Sequence, residues 1–160
     1  MIELDDLAAF LIRAKRATYA SAEPPTAPAL RPASHDYHYE ETLDGVTWAY
    51  HDTYFGTTHF VGEEVVYRDD EPVWAMNYYG TPVGAEVSES FIDRALHPAL
   101  ARVSEHPIPA RGPHRHESDG WVYTFDADGD LTLFTGVEEI APAVAGAPVY
   151  RLQCHGGRVR

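Results

Sequence analysis

The residues best suited to chemistry are two carboxylates, Asp52 and Glu64, set in a stretch rich in tyrosine, tryptophan and valine. Successive side chains of a strand point to opposite faces. Alternation therefore puts Val46, Trp48, Tyr50, Asp52 and Tyr54 on one face, and Phe60, Gly62, Glu64 and Val66 on one face of the next run. Trp74, Met76 and Tyr78 share a face of a third run. If these faces coincide, two acids lie inside an aromatic surface, which is costly unless each is hydrogen-bonded or paired. Tyrosine hydroxyls and Asn77 are the expected partners, although Asn77 has the opposite parity and joins only where its strand bulges or ends. Apolar walls with a few convergent polar groups describe a ligand pocket. Arg31 and Tyr19 are expected to close it from the loop and helix side. The competing reading is a satisfied buried network that only fixes the sheet. A third use of Asp52 and Glu64 is acid–base catalysis, since burial and proximity would separate their pKa values.

Other reactive residues carry weaker patterns. Lys15 and Tyr19 stand four apart on one helix face and read as an exposed pair. His114 and His116 form an HxH, but Glu117 is adjacent and points the other way, so a cupin-type metal site fails; His35 and His38 lack a third ligand. "DADGDL" from Asp126 opens like a calcium loop, yet Leu131 stands where glycine is needed and Val137 where the bidentate glutamate belongs. Cys154 has no base at nucleophile spacing and reads as a strand residue. Gly156-Gly157 is too short for a phosphate loop and has no helix after it. Arg111, in "RGP", reads as the start of a strand. No metal and no cofactor is expected.

The elements that must position these residues are legible. Leu4, Leu7, Phe10, Leu11, Ala14 and Ala17 recur at helical spacing, with acids at the N-terminal end and Arg13, Lys15 and Arg16 at the other. A proline-rich connector, "SAEPPTAPALRPASHD", follows. Strand-like runs span Tyr37 to Glu41, Val46 to Phe55, His59 to Tyr67 and Pro72 to Tyr79, with "LDG" and "RDDE" as hairpin turns. A second helix is expected from Ser88, burying Phe91, Ile92, Ala95, Leu96, Ala99 and Leu100, with a kink at Pro98. Further strands run from Arg115 to the end, with Asp128-Gly129 as a hairpin turn. The halves look alike: Phe60 matches Phe134, Gly62 matches Gly136, Glu64-Val65 matches Glu139-Ile140 after a one-residue shift, and Pro72-Val73-Trp74 matches Pro148-Val149-Tyr150. The expected fold is α+β: two helices packed on antiparallel sheet, a tandem helix-plus-meander repeat with pseudo-twofold symmetry. It forms a single domain over 1–160, with pseudo-repeats of approximately 1–83 and 84–160.

At 160 residues the chain can bury a sizeable core without staples. Its formal charge of −13 argues against direct contact with nucleic acid or an anionic membrane, and homodimer formation stays open. No apolar run is long enough to span a bilayer, and "MIELDDLAAF" lacks the basic start of a signal peptide. With Cys154 as the sole cysteine, a cytoplasmic location is expected. Lys15 is the sole lysine, and an acidic surface so poor in lysine suits a salt-loaded, halophilic host, the alternative being a GC-rich genome.

"AKRATYA" (Ala14 to Ala20), "RPASHDYHY" (Arg31 to Tyr39), "YHDTYFG" (Tyr50 to Gly56), "FVGEEVV" (Phe60 to Val66) and "PVWAMNYYG" (Pro72 to Gly80) occur here in combination. With "RGP", "FTGVEEI" and "VYRLQCHGG" in the second half, they make the chain resemble an uncharacterised domain-of-unknown-function family of bacteria and archaea. That family also occurs behind XRE-type helix-turn-helix modules, so the resemblance implies a sensor or toxin–antitoxin-like setting. Glu63 stands where the family pattern has glutamine, which departs from any amide role there.

Three functions are in play: a small-molecule or peptide binding or sensor domain built on the aromatic–carboxylate pocket, an enzyme using Asp52 and Glu64 as acid and base, and a scaffold or dimerisation domain. The binding residues expected are Tyr19, Arg31, Trp48, Tyr50, Asp52, Tyr54, Glu64, Trp74, Asn77 and Tyr78.

Overall fold

Helix α1 (Leu4–Ala17) opens the chain in the computed structural model, which describes residues 3–18, 20, 27–84, 92–144 and 146–160. Its apolar stripe of Leu7, Phe10, Leu11 and Ala14 is buried, and Lys15 is buried with it. Asp5 and Asp6 in the first turn and Lys15 and Arg16 in the last complement the helix dipole. Thr18 ends the helix, its hydroxyl donating back to the Ala14 carbonyl at 2.8 Å.

Strands β1 (His35–Leu43), β2 (Val46–Gly56), β3 (Phe60–Arg68) and β4 (Glu71–Pro82) form one antiparallel meander. Strands β5 (Arg115–Ser118), β6 (Trp121–Asp130), β7 (Leu133–Pro142) and β8 (Tyr150–Arg158) form another. The two join edge to edge through β4 and β8, giving one eight-stranded sheet of order β1-β2-β3-β4-β8-β7-β6-β5. The architecture is thus α+β, mainly antiparallel sheet with short helices. Asp44-Gly45 and Asp69-Asp70 all have positive φ, the left-handed pair that a two-residue hairpin demands, so "LDG" and "RDDE" are turns as read.

Two expectations about elements are corrected. Asp128 and Gly129 lie inside β6, and the turn falls at Leu131-Thr132, between the paired Asp130 and Leu133. Gly129, at φ 104°, absorbs a bend within the strand. The Asp130 carboxylate fixes the actual turn by accepting the Thr132 N–H at 2.7 Å. Ser88 and Phe91 lie outside the described residues. The described part of the second helical segment is a π-helical turn (Ile92–Leu96) followed directly by α2 (His97–Leu100). Pro98 has no N–H to give to a carbonyl four residues back, and the helix type changes beside it.

Phe60 pairs in register with Gly80 on β4, and Phe134 with Gly156 on β8. Glu139, which the sequence sets beside Glu64, does not share its buried environment. A one-residue shift reverses the faces of a strand: Glu138 is fully buried, whereas Glu139 pairs with Arg151 on the opposite face. The core lies on one side of the sheet, where Trp48, Tyr50, Trp74, Tyr123, Phe125 and Phe134 are buried beneath the helices. Phe10 of α1 packs on Trp48 with ring centroids 5.2 Å apart. The other side exposes Val61, Tyr79 and Val137. Among the described residues no helix is long and apolar enough to cross a membrane.

Candidate functional site

The register makes Asp52 on β2 and Glu64 on β3 direct cross-strand partners on the covered face of the sheet, with Tyr37 and Met76 continuing the row on either side. Both carboxylates are buried, at 2% and 0% exposure. Two ionised acids side by side in a dry interior repel each other, so the surroundings must treat them differently.

Glu64 takes a cation. Lys15 reaches across from α1, its Nζ donating to Glu64 Oε2 and, at 2.9 Å, to the Ala110 carbonyl. The exposed Lys15–Tyr19 pair expected from the sequence is therefore corrected: Lys15 is wholly buried, and Tyr19 lies outside the described residues. Burial pushes the Lys15 ammonium below its ordinary pKa, while Glu64 opposes that shift.

A second buried ion pair stands in the other meander. Arg111 forks onto Glu138, Nε to Oε2 at 2.9 Å and Nη2 to Oε1 at 3.0 Å. Tyr123 and Tyr150 donate to the same carboxylate at 2.6 and 3.0 Å. Arg111 is thus more than the start of a strand. Neither it nor Glu138 was legible as a site residue, because the fork forms only when the connection before β5 folds over β7.

Asp52 is in no ion pair among the described residues. It accepts the Tyr78 hydroxyl at 2.6 Å. Burial, followed by the charge on Glu64, raises its carboxyl to about 7, against the pull of Tyr78, Lys15 and Arg111. Burial and the neighbouring Asp52 in turn raise the Tyr78 phenol well above its usual value.

Asp52 forms part of the wall of a cavity of about 100 Å³ between the sheet and the second helical segment. Tyr37, Tyr54, Phe60 and Tyr78 supply aromatic walls, and Leu96, Leu100, His97 and Arg111 cover it. The rings form a chain of contacts: Tyr37 and Tyr54 are near-parallel at 6.4 Å, and Phe60 meets Tyr54 and Tyr78 edge-on at 6.4 and 6.1 Å.

Of the residues expected to bind a ligand, the structure brings Asp52, Tyr54 and Tyr78 to this cavity. Glu64 and Tyr50 lie outside its lining, gathered about Lys15, whose Nζ is 5.8 Å from the Tyr50 ring centroid. Trp48 packs between α1 and Arg68, and Trp74 stacks on Phe134 at 6.1 Å, so both are core. Asn77 is exposed on the opposite face, paired in register with Glu63 and His155, because β4 continues through it without a bulge. Arg31 is also on that side, over the Phe55 ring and 3.6 Å from Glu63, so it does not close the cavity. The cover comes from the second helical segment instead of the proline-rich loop. Leu96 and Leu100 were legible as a buried stripe, but their meeting with β1 and β2 was not.

No curated protein and no solved structure matches the chain. One family model does, over residues 52–159, a span that begins at Asp52 and takes in Glu64, Tyr78, Arg111 and Glu138 but not Lys15. With well over half of its length matched, the chain belongs to the family described as domain of unknown function (DUF5680).

Proposed function

We propose that this protein is a small-molecule-binding domain whose ligand occupies the cavity beside Asp52. The observation that carries this reading is the unequal treatment of the three buried acids described on the covered face; Asp36, buried on the other side, is held by Ser34, Thr53 and the Leu30 N–H. Among the described residues Glu64 and Glu138 each have a cation, and Asp52, on the cavity wall, accepts from the Tyr78 hydroxyl. A buried carboxylate without a charge partner costs stability, and sites that bind or react are where such costs are tolerated. The volume suits a small molecule better than a peptide chain. A sensor role in the cytoplasm fits the resemblance to domains found behind helix-turn-helix modules; that support is by analogy.

The test is a ligand-observed NMR screen of small metabolite-like compounds, repeated on Asp52→Asn and Tyr54→Phe. Hits that either variant weakens, in a protein that remains folded, support a site. If no compound binds and both variants alter only the melting temperature, the scaffold reading takes its place. Catalysis is the second reading, favoured by a carboxyl held near neutrality, where a general acid or base works best. In that case Asp52 acts without Glu64, which Lys15 holds away from the cavity lining.

We also infer that the two meanders descend from one duplicated unit within a single domain. The mirrored strand order and the like positions of Phe60 and Phe134, Gly62 and Gly136, and Glu64 and Glu138 support this.

A further inference from the structure

We propose that the cavity takes a small organic cation, an alkylated or primary ammonium group, with Asp52 as its counter-ion and Tyr37, Tyr54, Phe60 and Tyr78 as its walls. The proposal rests on the pocket reading above and names its ligand class.

Charge is the first reason. Among the described residues of the covered face, Lys15 is matched by Glu64 and Arg111 by Glu138, so the negative charge without an ion-pair partner when Asp52 ionises is its own, on the cavity wall. A cation placed there completes the pairing, whereas an anion would add a fourth negative group. The Arg111 guanidinium lies against the cavity too, over the Tyr78 ring at 5.6 Å, with its Nε and Nη2 donating to Glu138, which leaves the Tyr37, Tyr54 and Phe60 side for a second cation.

Wall chemistry is the second. Aromatic faces attract cations through their quadrupoles, and several rings around one ammonium are the usual means of holding an alkylated amine. Here four rings line the cavity with successive centroids 6.4, 6.4 and 6.1 Å apart, Phe60 standing edge-on to its two neighbours. Leu96 and Leu100 add apolar cover suited to methyl groups. A cavity of about 100 Å³ admits a ligand of few heavy atoms.

The probes are tetramethylammonium, methylammonium and choline chlorides. 3,3-Dimethylbutan-1-ol serves as the neutral isostere of choline, and pivalate as an anion. Binding is read from ¹H–¹³C signals of the tyrosine rings on the full chain at pH 8. At least one cation should bind, with choline at least tenfold tighter than its isostere if choline is the one that fits. Asp52→Asn should remove that preference, and Tyr54→Leu should weaken cations while leaving Asp52 intact. A second readout is the Asp52 ¹³Cγ titration, which a bound cation should move to lower pH. Glu64, Lys15, Tyr78, Arg111, His97, Tyr37 and Tyr54 surround that carboxyl, so the control is the same titration with the neutral isostere, which should leave the midpoint in place. Equal binding of isostere and cation, or preference for pivalate, overturns the cation while leaving a pocket. Failure of every probe, with hits from the wider screen, also overturns it. Failure of both probes and screen removes the pocket reading as well.

Discussion

Tyr78 on β4 passes over β3 to reach Asp52 on β2, two strands away, and Gly62 is the residue that lets it through. A methyl group at Gly62 would lie 2.5 Å from the Tyr78 hydroxyl oxygen and 2.7 Å from the Thr53 carbonyl oxygen. The tyrosine could move, but the backbone carbonyl is fixed in the sheet. Gly62→Ala should therefore destabilise the protein by about 1–3 kcal/mol, as measured by urea unfolding. It should also displace the Tyr78 hydroxyl from Asp52, whose carboxyl would then titrate higher still. An unchanged unfolding midpoint would mean that the tyrosine does not depend on this glycine.

Asp52 makes stability depend on pH in an unusual direction for a carboxyl. Its folded-state pKa, about 7, is above the ordinary value of 3.8. Between those values the folded chain holds a proton that the unfolded chain has lost, so stability falls as pH rises through this window. Asp52→Asn keeps an oxygen acceptor for Tyr78 and has no charge to bury. The variant should melt several degrees above the parent at pH 8, and its advantage should shrink as pH falls toward 4. Thermal unfolding at three pH values checks this, and an advantage that grows in acid would refute the assignment.

Lys15 and Glu64 form a wholly buried pair, and breaking such a pair from one side strands the other charge. Lys15→Met should cost about 3–5 kcal/mol. Adding Glu64→Gln removes the stranded charge and should recover most of the loss. A double variant no more stable than the single would show that the lysine stem, not the ion pair, matters to packing.

The formal net charge of −13 should make stability respond to salt. Screening shortens the reach of carboxylate repulsion to about 3 Å at 1 M, so the melting temperature should rise from low to molar KCl. A flat or falling curve would argue against adaptation to a salt-rich host.

What the sequence determined by itself was local. Helical spacing marked α1, and two-residue alternation marked the buried faces of β2, β3 and β4. The left-handed turns at Asp44-Gly45 and Asp69-Asp70 were also readable. These features depend on neighbours within a few residues, and parity set Asp52 and Glu64 each on the aromatic face of its own strand, which the β2–β3 register then made one side. It could not say which acid would be neutralised. That choice was made by Lys15, 49 positions before Glu64, when α1 docked on the sheet. The same limit hid the Arg111–Glu138 fork, 27 positions apart, and the cover that Leu96 and Leu100 give the cavity. It also misdirected Arg31 and Asn77, whose side of the sheet follows from where the loop crosses and whether β4 bulges. Alternation assigns a face, but only the packing of distant elements decides which charges meet on it and which one is left facing open space.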